Sequence, residues 1–445
     1  MSARTRLLPI LLLVSLSPAP AAAQLSDATK QALDRVSAIE PKVVAWRRDI
    51  HQHPELGNRE KRTAALVADH LRALGLEVAT GVAHTGVVGL LRGGRPGPVV
   101  LLRADMDALP VTERVDVPFA SKVKAEYMGE TVGVMHACGH DAHTAILMGA
   151  AEILAGMRDQ IPGTIKFIFQ PAEEGAPLGE QGGAGLMVKE GILKNPDVDA
   201  AFALHVDAKK PIGHIYYNSG ATYASSDDFR IVVKGRQTHG AAPWNGIDPV
   251  VISAHIITAL QTIVSRQMNL SERAVIVTVG KVRAGNRSNI IPEEAELVGT
   301  LRALHPDDRQ ALQDKLRRTV TNVAESMGAT VEITVPYTHG YPVTMNDEAL
   351  TKRMVPVLEA VAGRDFVHER RPRTGAEDFS FIAQEVPGFY FNIGARRPDV
   401  KEEDAADHHT PDFFVDERGL AVGVKAMVAM ALEYLAAHAT SQVTE

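Results

Sequence analysis

Short apolar runs alternating with helix-patterned stretches govern what residues 26–217 can fold into. Val99-Val100-Leu101-Leu102, Thr164 to Phe169 and Ala200 to Leu204 are short and apolar, as strands covered on both faces are. Around them, Asp27 to His51, Arg59 to Leu74 and Thr144 to Met157 read as helices, the second closed by Gly75. Strands and helices in turn predict an α/β layer with a mostly parallel sheet, in which ligands bind beyond the carboxyl ends of the strands. Those ends are polar here. Asp105 and Asp107 follow the first run on a shared face, Gln170-Pro171-Ala172-Glu173-Glu174-Gly175 follows the second, and His205 follows the third.

The octet His136-Ala137-Cys138-Gly139-His140-Asp141-Ala142-His143 holds the only cysteine of the chain. Residues two apart in an extended or turning backbone point the same way, so Cys138 and His140 can aim a thiolate and an imidazole at one point. That pair suits zinc and related divalent ions, and with no second cysteine the remaining ligands must be His, Asp or Glu. The octet alone equally fits a buried free cysteine beside loop histidines. Glu173 and Glu174 read either as a solvated turn or as a pair in which one carboxylate ligates metal and its neighbour handles protons.

From about Ala224 the rhythm changes. Strands at Asp228 to Gly235, Ala274 to Val282, Glu294 to Ala303 and Thr330 to Tyr337 enclose helices at Asp248 to Arg266 and Pro306 to Met327. This β-α-β-β-α-β order is ferredoxin-like. We read residues 224–335 as a domain inserted into a catalytic domain made of 24–223 and 336–445.

The first residues differ in kind. Arg4 and Arg6 precede the apolar run Leu7 to Leu16, and Ala21-Ala22-Ala23 offers a cleavage site, so 1–23 is expected to be a secretory signal peptide. The run is too short to span a bilayer, which predicts a secreted or periplasmic protein with no membrane insertion after cleavage. Export permits disulfides, yet one cysteine cannot make one within the chain, so Cys138 needs another reason to be there. A net charge of -7 without a basic stripe argues against nucleic acid or an anionic membrane as partner.

HACGHDAH, QPAEEG, the ALHV at Ala203, the THGAAP at Thr238, the NIIP at Asn289, the GAEDFS at Gly375 and the HHTPDF at His408 occur in this order over nearly all the mature chain. Together they resemble the dinuclear-metal aminoacylase and carboxypeptidase family, in the branch with hippurate hydrolases and plant auxin-conjugate hydrolases. The resemblance implies two divalent metal ions held by Cys138, His140, Glu174, His205 and His409, with Glu173 as general base. It implies further that His239 reaches across a homodimer to steady the oxyanion, and that Asn289 and Gly375 touch the substrate. A turn cap is the plainer reading of His239, and a loop hydrogen bond that of Asn289. Manganese, zinc, cobalt and nickel all suit this donor set. Many relatives carry His two residues before the strand-end aspartate, where this chain has Arg103, so Asp105 is left with no such ligand to orient and is read as supporting the site. The implied reaction is hydrolysis of an N-acyl or aryl-acyl amino acid, with an exported carboxypeptidase or dipeptidase as the alternative. Two rivals use other chemistry: a metal-dependent binding or storage protein, and a hydrolase with Cys138 as nucleophile.

Overall fold

The computed structural model describes residues 24–338 and 340–439, so the expected signal sequence lies outside the described residues. An eight-stranded sheet runs in the spatial order Glu77–Val82, Gly86–Arg92, Pro162–Gln170, Arg95–Asp105, Ala200–Pro211, Gly388–Arg396, Ile215–Tyr217, Val367–Glu369. Its four central strands, Pro162–Gln170 to Gly388–Arg396, are mutually parallel. The edges include antiparallel pairs.

Side-chain parity explains why the central runs are apolar throughout. Val100, Leu102, Phe167, Phe169, Phe202, Leu204, Phe389 and Phe391 point to one face and join one core cluster. Their neighbours Val99, Leu101, Ile168, Ala201, Ala203 and Tyr390 point to the other and join a second. Each fully buried Phe or Leu contributes roughly 1.5–3 kcal/mol relative to exposure, so both coverings matter. Helices His140–Ala155 and Leu420–Ala439 lie on the first face. Two described helices are long and apolar enough to cross a membrane. Glu417–Ala439 is 67% buried in this core, and Pro249–Gln267 covers the smaller sheet.

That smaller sheet has the order Val275–Ala284, Glu294–Ala303, Asp227–Lys234, Thr330–Thr334, all antiparallel, with helices Pro249–Thr262 and Pro306–Ser326 against it. It has its own apolar cluster around Phe229, Ile231, Leu297, Leu312 and Leu316. The chain crosses between the sheets near Ser226 and again near Tyr341, where the two passages pair through Ser226 N–H to Tyr341 O (3.0 Å) and Tyr341 N–H to Ser226 O (2.8 Å).

Several boundaries differ from the sequence reading. Asp27 to His51 is two helices, Asp27–Asp34 and Val36–Gln52, joined at Arg35. The helix expected from Thr144 begins four residues earlier, at His140, because Gly139 (φ 101°) turns the chain directly into it. The last strand of the smaller sheet ends at Thr334, two residues before Pro336, which has no N–H for the ladder.

Candidate metal centre

The five side chains implied as ligands meet at the carboxyl ends of the central strands. Cys138 Sγ lies 3.3 Å from His205 Nε2 and 3.3 Å from His409 Nε2. His409 Nε2 is 3.0 Å from Glu174 Oε1, and His140 Nε2 is 3.8 Å from Glu173 Oε2. Three overlapping groups, Cys138 with His140 and His205, Cys138 with Glu174 and His409, and His140 with Glu173 and Glu174, each keep their donor atoms within 4.8 Å of one another. Residues 138 to 409 thus converge on one place. Gly139 makes the first turn possible: a Cβ there would stand 2.2 Å from Val206 Cγ2.

Hydrogen bonds around the cluster fix which ring nitrogens face it. His140 Nδ1 is held at Asp107, 2.9 Å from its carbonyl and 3.1 Å from its carboxylate. His205 Nδ1 lies 2.5 Å from the Val206 carbonyl. With the proton on Nδ1, both rings can turn an Nε2 lone pair to an ion, and the Nε2 of His140 is buried with no hydrogen-bond partner; against burial, Asp105 and Asp107 push that ring up to about 10, a positive charge that a bound ion would replace. A buried lone pair beside a thiol and carboxylates is what a divalent ion would complete. Burial, then the charges of Glu174, Glu173 and Asp105, push the Cys138 thiol well above its usual range, so a thiolate here calls for a compensating cation. The donor set fits a pair of transition ions.

The same reasoning separates the adjacent histidines. His408 Nε2 accepts the Ala208 N–H (3.2 Å), and burial pushes the ring down to about 4, so it is neutral with its proton on Nδ1. That N–H faces Cys138 Sγ at 3.7 Å, as a donor to sulfur. His409 instead turns Nε2 into the cluster, against Cys138 Sγ and Glu174 Oε1, and adopts a positive φ of 64°, its backbone N–H bonded to Ala137 O (2.8 Å). His143 is spent on structure: Nδ1 donates to Asp105 Oδ1 (2.6 Å) and Nε2 accepts the Val206 N–H (2.9 Å).

Asp105 proves to be well engaged. Beside His143, it accepts from Arg103 Nη1 (2.7 Å) and lies 3.8 Å from His140 Nε2. Arg103 is itself fully buried, donating also to Gln170 Oε1 (2.8 Å), Glu377 Oε1 (2.9 Å) and Asp378 Oδ1 (2.9 Å). The orienting carboxylate of His140 is Asp107, whose other oxygen accepts the Glu174 N–H (2.9 Å).

Glu173 is buried, its Oε1 3.4 Å from the Asp378 N–H and its carbonyl accepting the Tyr341 hydroxyl (2.7 Å). Burial, then Glu377, Glu174 and Asp378, push its carboxyl well above the ordinary range. It opens on a cleft of about 680 Å³ that Gly375 also lines. The smaller sheet adds Asp228 and Arg302 to this cleft. Neither they nor Tyr341 stood out in the sequence, because no short motif marks a residue that only the packing of two sheets brings to a site. His239 and Asn289 are not brought there within this chain. They sit together on the smaller sheet's side, exposed, where Thr238–His239 pairs with Ile290–Ile291 and Gly240 N–H bonds Asn289 O (2.8 Å). His239 Nδ1 accepts the Ala241 N–H (2.9 Å), which is the turn cap.

Known proteins share this arrangement. The model of peptidase family M20/M25/M40 matches residues 101–433. Thermostable carboxypeptidase 2 of Saccharolobus solfataricus is 40% identical over 409 residues, 92% of this chain and 99% of that protein. The IAA-amino acid hydrolase ILR1-like 2 of Arabidopsis thaliana is 37% identical over 404 residues, 89% of this chain and 87% of that one. The solved YXEP protein of Bacillus subtilis, described as a dinuclear metal binding peptidase, superposes with a TM-score of 0.74 at 33% identity, covering 90% of this chain and 99% of its own. The chain belongs to peptidase family M20/M25/M40 and is a metal-dependent hydrolase of that family.

Proposed function

We propose that this chain hydrolyses the amide bond of N-acyl or aryl-acyl amino acids, releasing a carboxylate and a free amino acid. The observation that carries the reading is Glu173, a buried carboxyl beside the donor cluster and open to the cleft. Two divalent ions held by Cys138, His140, Glu174, His205 and His409 would supply a Lewis acid and an acidified water. Manganese and zinc are our first choices, with cobalt and nickel also suited to the donors. Glu173 takes the proton of the attacking water and hands it to the leaving amine, which needs the carboxylate ionised at the start, a state that the positive charge of two ions beside it would favour. Arg302 in the cleft offers a cation to the substrate carboxylate, and Gly375 a backbone N–H.

His239 and Asn289 enter the reading through a homodimer, where the smaller sheet of a second copy would present them to this cleft. The exposure of both supports it. Export, with 1–23 removed, is likewise proposed on the pattern of that segment. The second reading, a carboxypeptidase or dipeptidase, is supported by the name of the Saccharolobus relative.

The test is a panel of N-acyl amino acids and dipeptides with metal-reconstituted protein, its chelated form and the Glu173→Gln variant. We expect turnover that chelation abolishes and that E173Q lowers by about 10²–10⁴ with metal content intact. A chelated protein that keeps its rate would point to Cys138 as nucleophile. Metal binding without turnover of any panel member would leave a binding protein.

A further inference from the structure

The stretch Arg47 to Glu60 contributes no side chain to the cleft, yet it lies directly beneath the segments that do. Leu56 pairs with Ala108, and the Ala108 N–H bonds Glu55 O (2.8 Å), tying this stretch to the end of strand Arg95–Asp105. Glu60 reaches the other loop. Its side chain is fully buried, and Oε1 accepts two backbone amides, Asn58 N–H (3.1 Å) and Ala172 N–H (2.9 Å). Oε2 is hydrogen-bonded to Thr85 Oγ1 (2.5 Å).

Ala172 immediately precedes Glu173 and Glu174, and it adopts φ 51°, a conformation a residue with a Cβ holds only where its surroundings impose it. The turn is what sends the adjacent carboxylates of Glu173 and Glu174 toward the same cluster, although neighbouring side chains normally diverge. Gly57 leaves the space for it: a Cβ there would come to 3.1 Å from both Ala172 Cβ and Gly175 O.

We propose that Glu60 is a positioning residue for the reaction: by accepting the Ala172 amide it holds the Gln170–Gly175 loop in the turn that aims Glu173. This rests on the reading of Glu173 as the base. Glu60 needs an oxygen at Ala172 rather than a charge, since burial and the Asp107 carboxylate push it up to about 8. Glutamine keeps that oxygen and can donate to Thr85.

The experiment compares the full chain with Glu60→Ala and Glu60→Gln, each reconstituted with manganese. It reads kcat and KM on N-benzoylglycine, metal per chain, and hydrogen exchange of the peptide spanning 170–175. In E60A we expect faster exchange at 170–175 and a kcat at least tenfold lower with KM within about threefold, and in E60Q both restored. A purely structural role would lower the folded, metal-loaded fraction and with it the apparent kcat at unchanged KM, so kcat is expressed per metal-loaded chain, where such a role leaves it at the parent value. Parent-like kcat and exchange in E60A, or an E60Q as impaired as E60A, would overturn the proposal. If E60A does not fold, Gly57→Ala perturbs the same contact from the other side and is expected to lower kcat likewise, an unchanged rate counting against us. A parent protein inactive on every substrate would refute the proposed function, and the exchange at 170–175 would still decide the role of Glu60.

Discussion

Replacing Arg103 by methionine removes the one guanidinium that three buried carboxylates, Asp105, Glu377 and Asp378, share. All four side chains are 3% exposed or less, so solvent cannot take over the lost charge. Burial, with Glu377 and against Arg103, already pushes Asp378 up to about 8, so in the variant the cheapest relief is for one more of these carboxylates to bind a proton. Drawing that proton at pH 7 into a group whose ordinary pKa is near 4 costs about 4 kcal/mol at 1.36 kcal/mol per unit. The figure agrees with the roughly 3–5 kcal/mol typical of breaking a buried ion pair, and it is a large part of a total stability of about 5–15 kcal/mol. The sign of its pH dependence follows. The folded variant holds one proton more than the folded parent while the unfolded chains are alike, so it loses stability against the parent as pH rises, by about 1.4 kcal/mol per unit between pH 5 and 7. Urea unfolding of parent and R103M at pH 5, 6 and 7, both with chelator so that metal binding does not enter, measures this directly. A difference below about 1 kcal/mol at pH 7, or one that does not grow with pH, would refute the reasoning.

Gly139→Ala would force a Cβ to 2.2 Å from Val206 Cγ2 at a φ of 101°, destabilising the fold by more than the roughly 0.4–1 kcal/mol by which a compatible Gly-to-Ala change stabilises one. Because Val206 adjoins His205, we expect metal analysis after dialysis to find fewer ions than in the parent, and a full complement would count against the turn's role. His51 contacts Asp141 (2.8 Å) and Glu113 (3.1 Å); burial and the neighbouring Arg47 disfavour its charge, but Asp141 and Glu113 together outweigh them and raise its pKa above 6.5. Its contribution is therefore complete below pH 6.5 and is lost as pH rises through the higher folded value. His51→Gln should flatten the fall in melting temperature on that side, and identical pH profiles would exclude His51 as its source.

The central strands could be read from the sequence because each is buried on both faces, which leaves an unbroken apolar run at Val99 to Leu102 or Phe167 to Phe169. The hairpin Glu77–Val82 and Gly86–Arg92 escaped notice: its first strand is largely exposed, and glycines at 81, 86 and 89 interrupt the pattern. Among the ligand candidates, Glu174 and His205 stand where apolar runs stop, Cys138 and His140 share the octet, and His409 came only with the resemblance. The resemblance implied His409 rather than His408, and the Ala208 N–H that occupies His408 Nε2 adds a physical reason which no spacing encodes. Arg103 is the clearest case of what one dimension hides. Its partner Glu377 is 274 residues away, so the sequence offers only a departure from the family's histidine and nothing about what replaces it.

The hydroxyl of Tyr341 ends on the main-chain oxygen of Glu173, while its backbone forms one of the two passages joining the sheets. Any swing of the smaller sheet about those passages must therefore tug on Glu173 or let that bond go. With Glu173 as the proposed base, opening to admit substrate and arming the proton acceptor would be a single mechanical event, and a chain caught ajar would also be one with a slackened base.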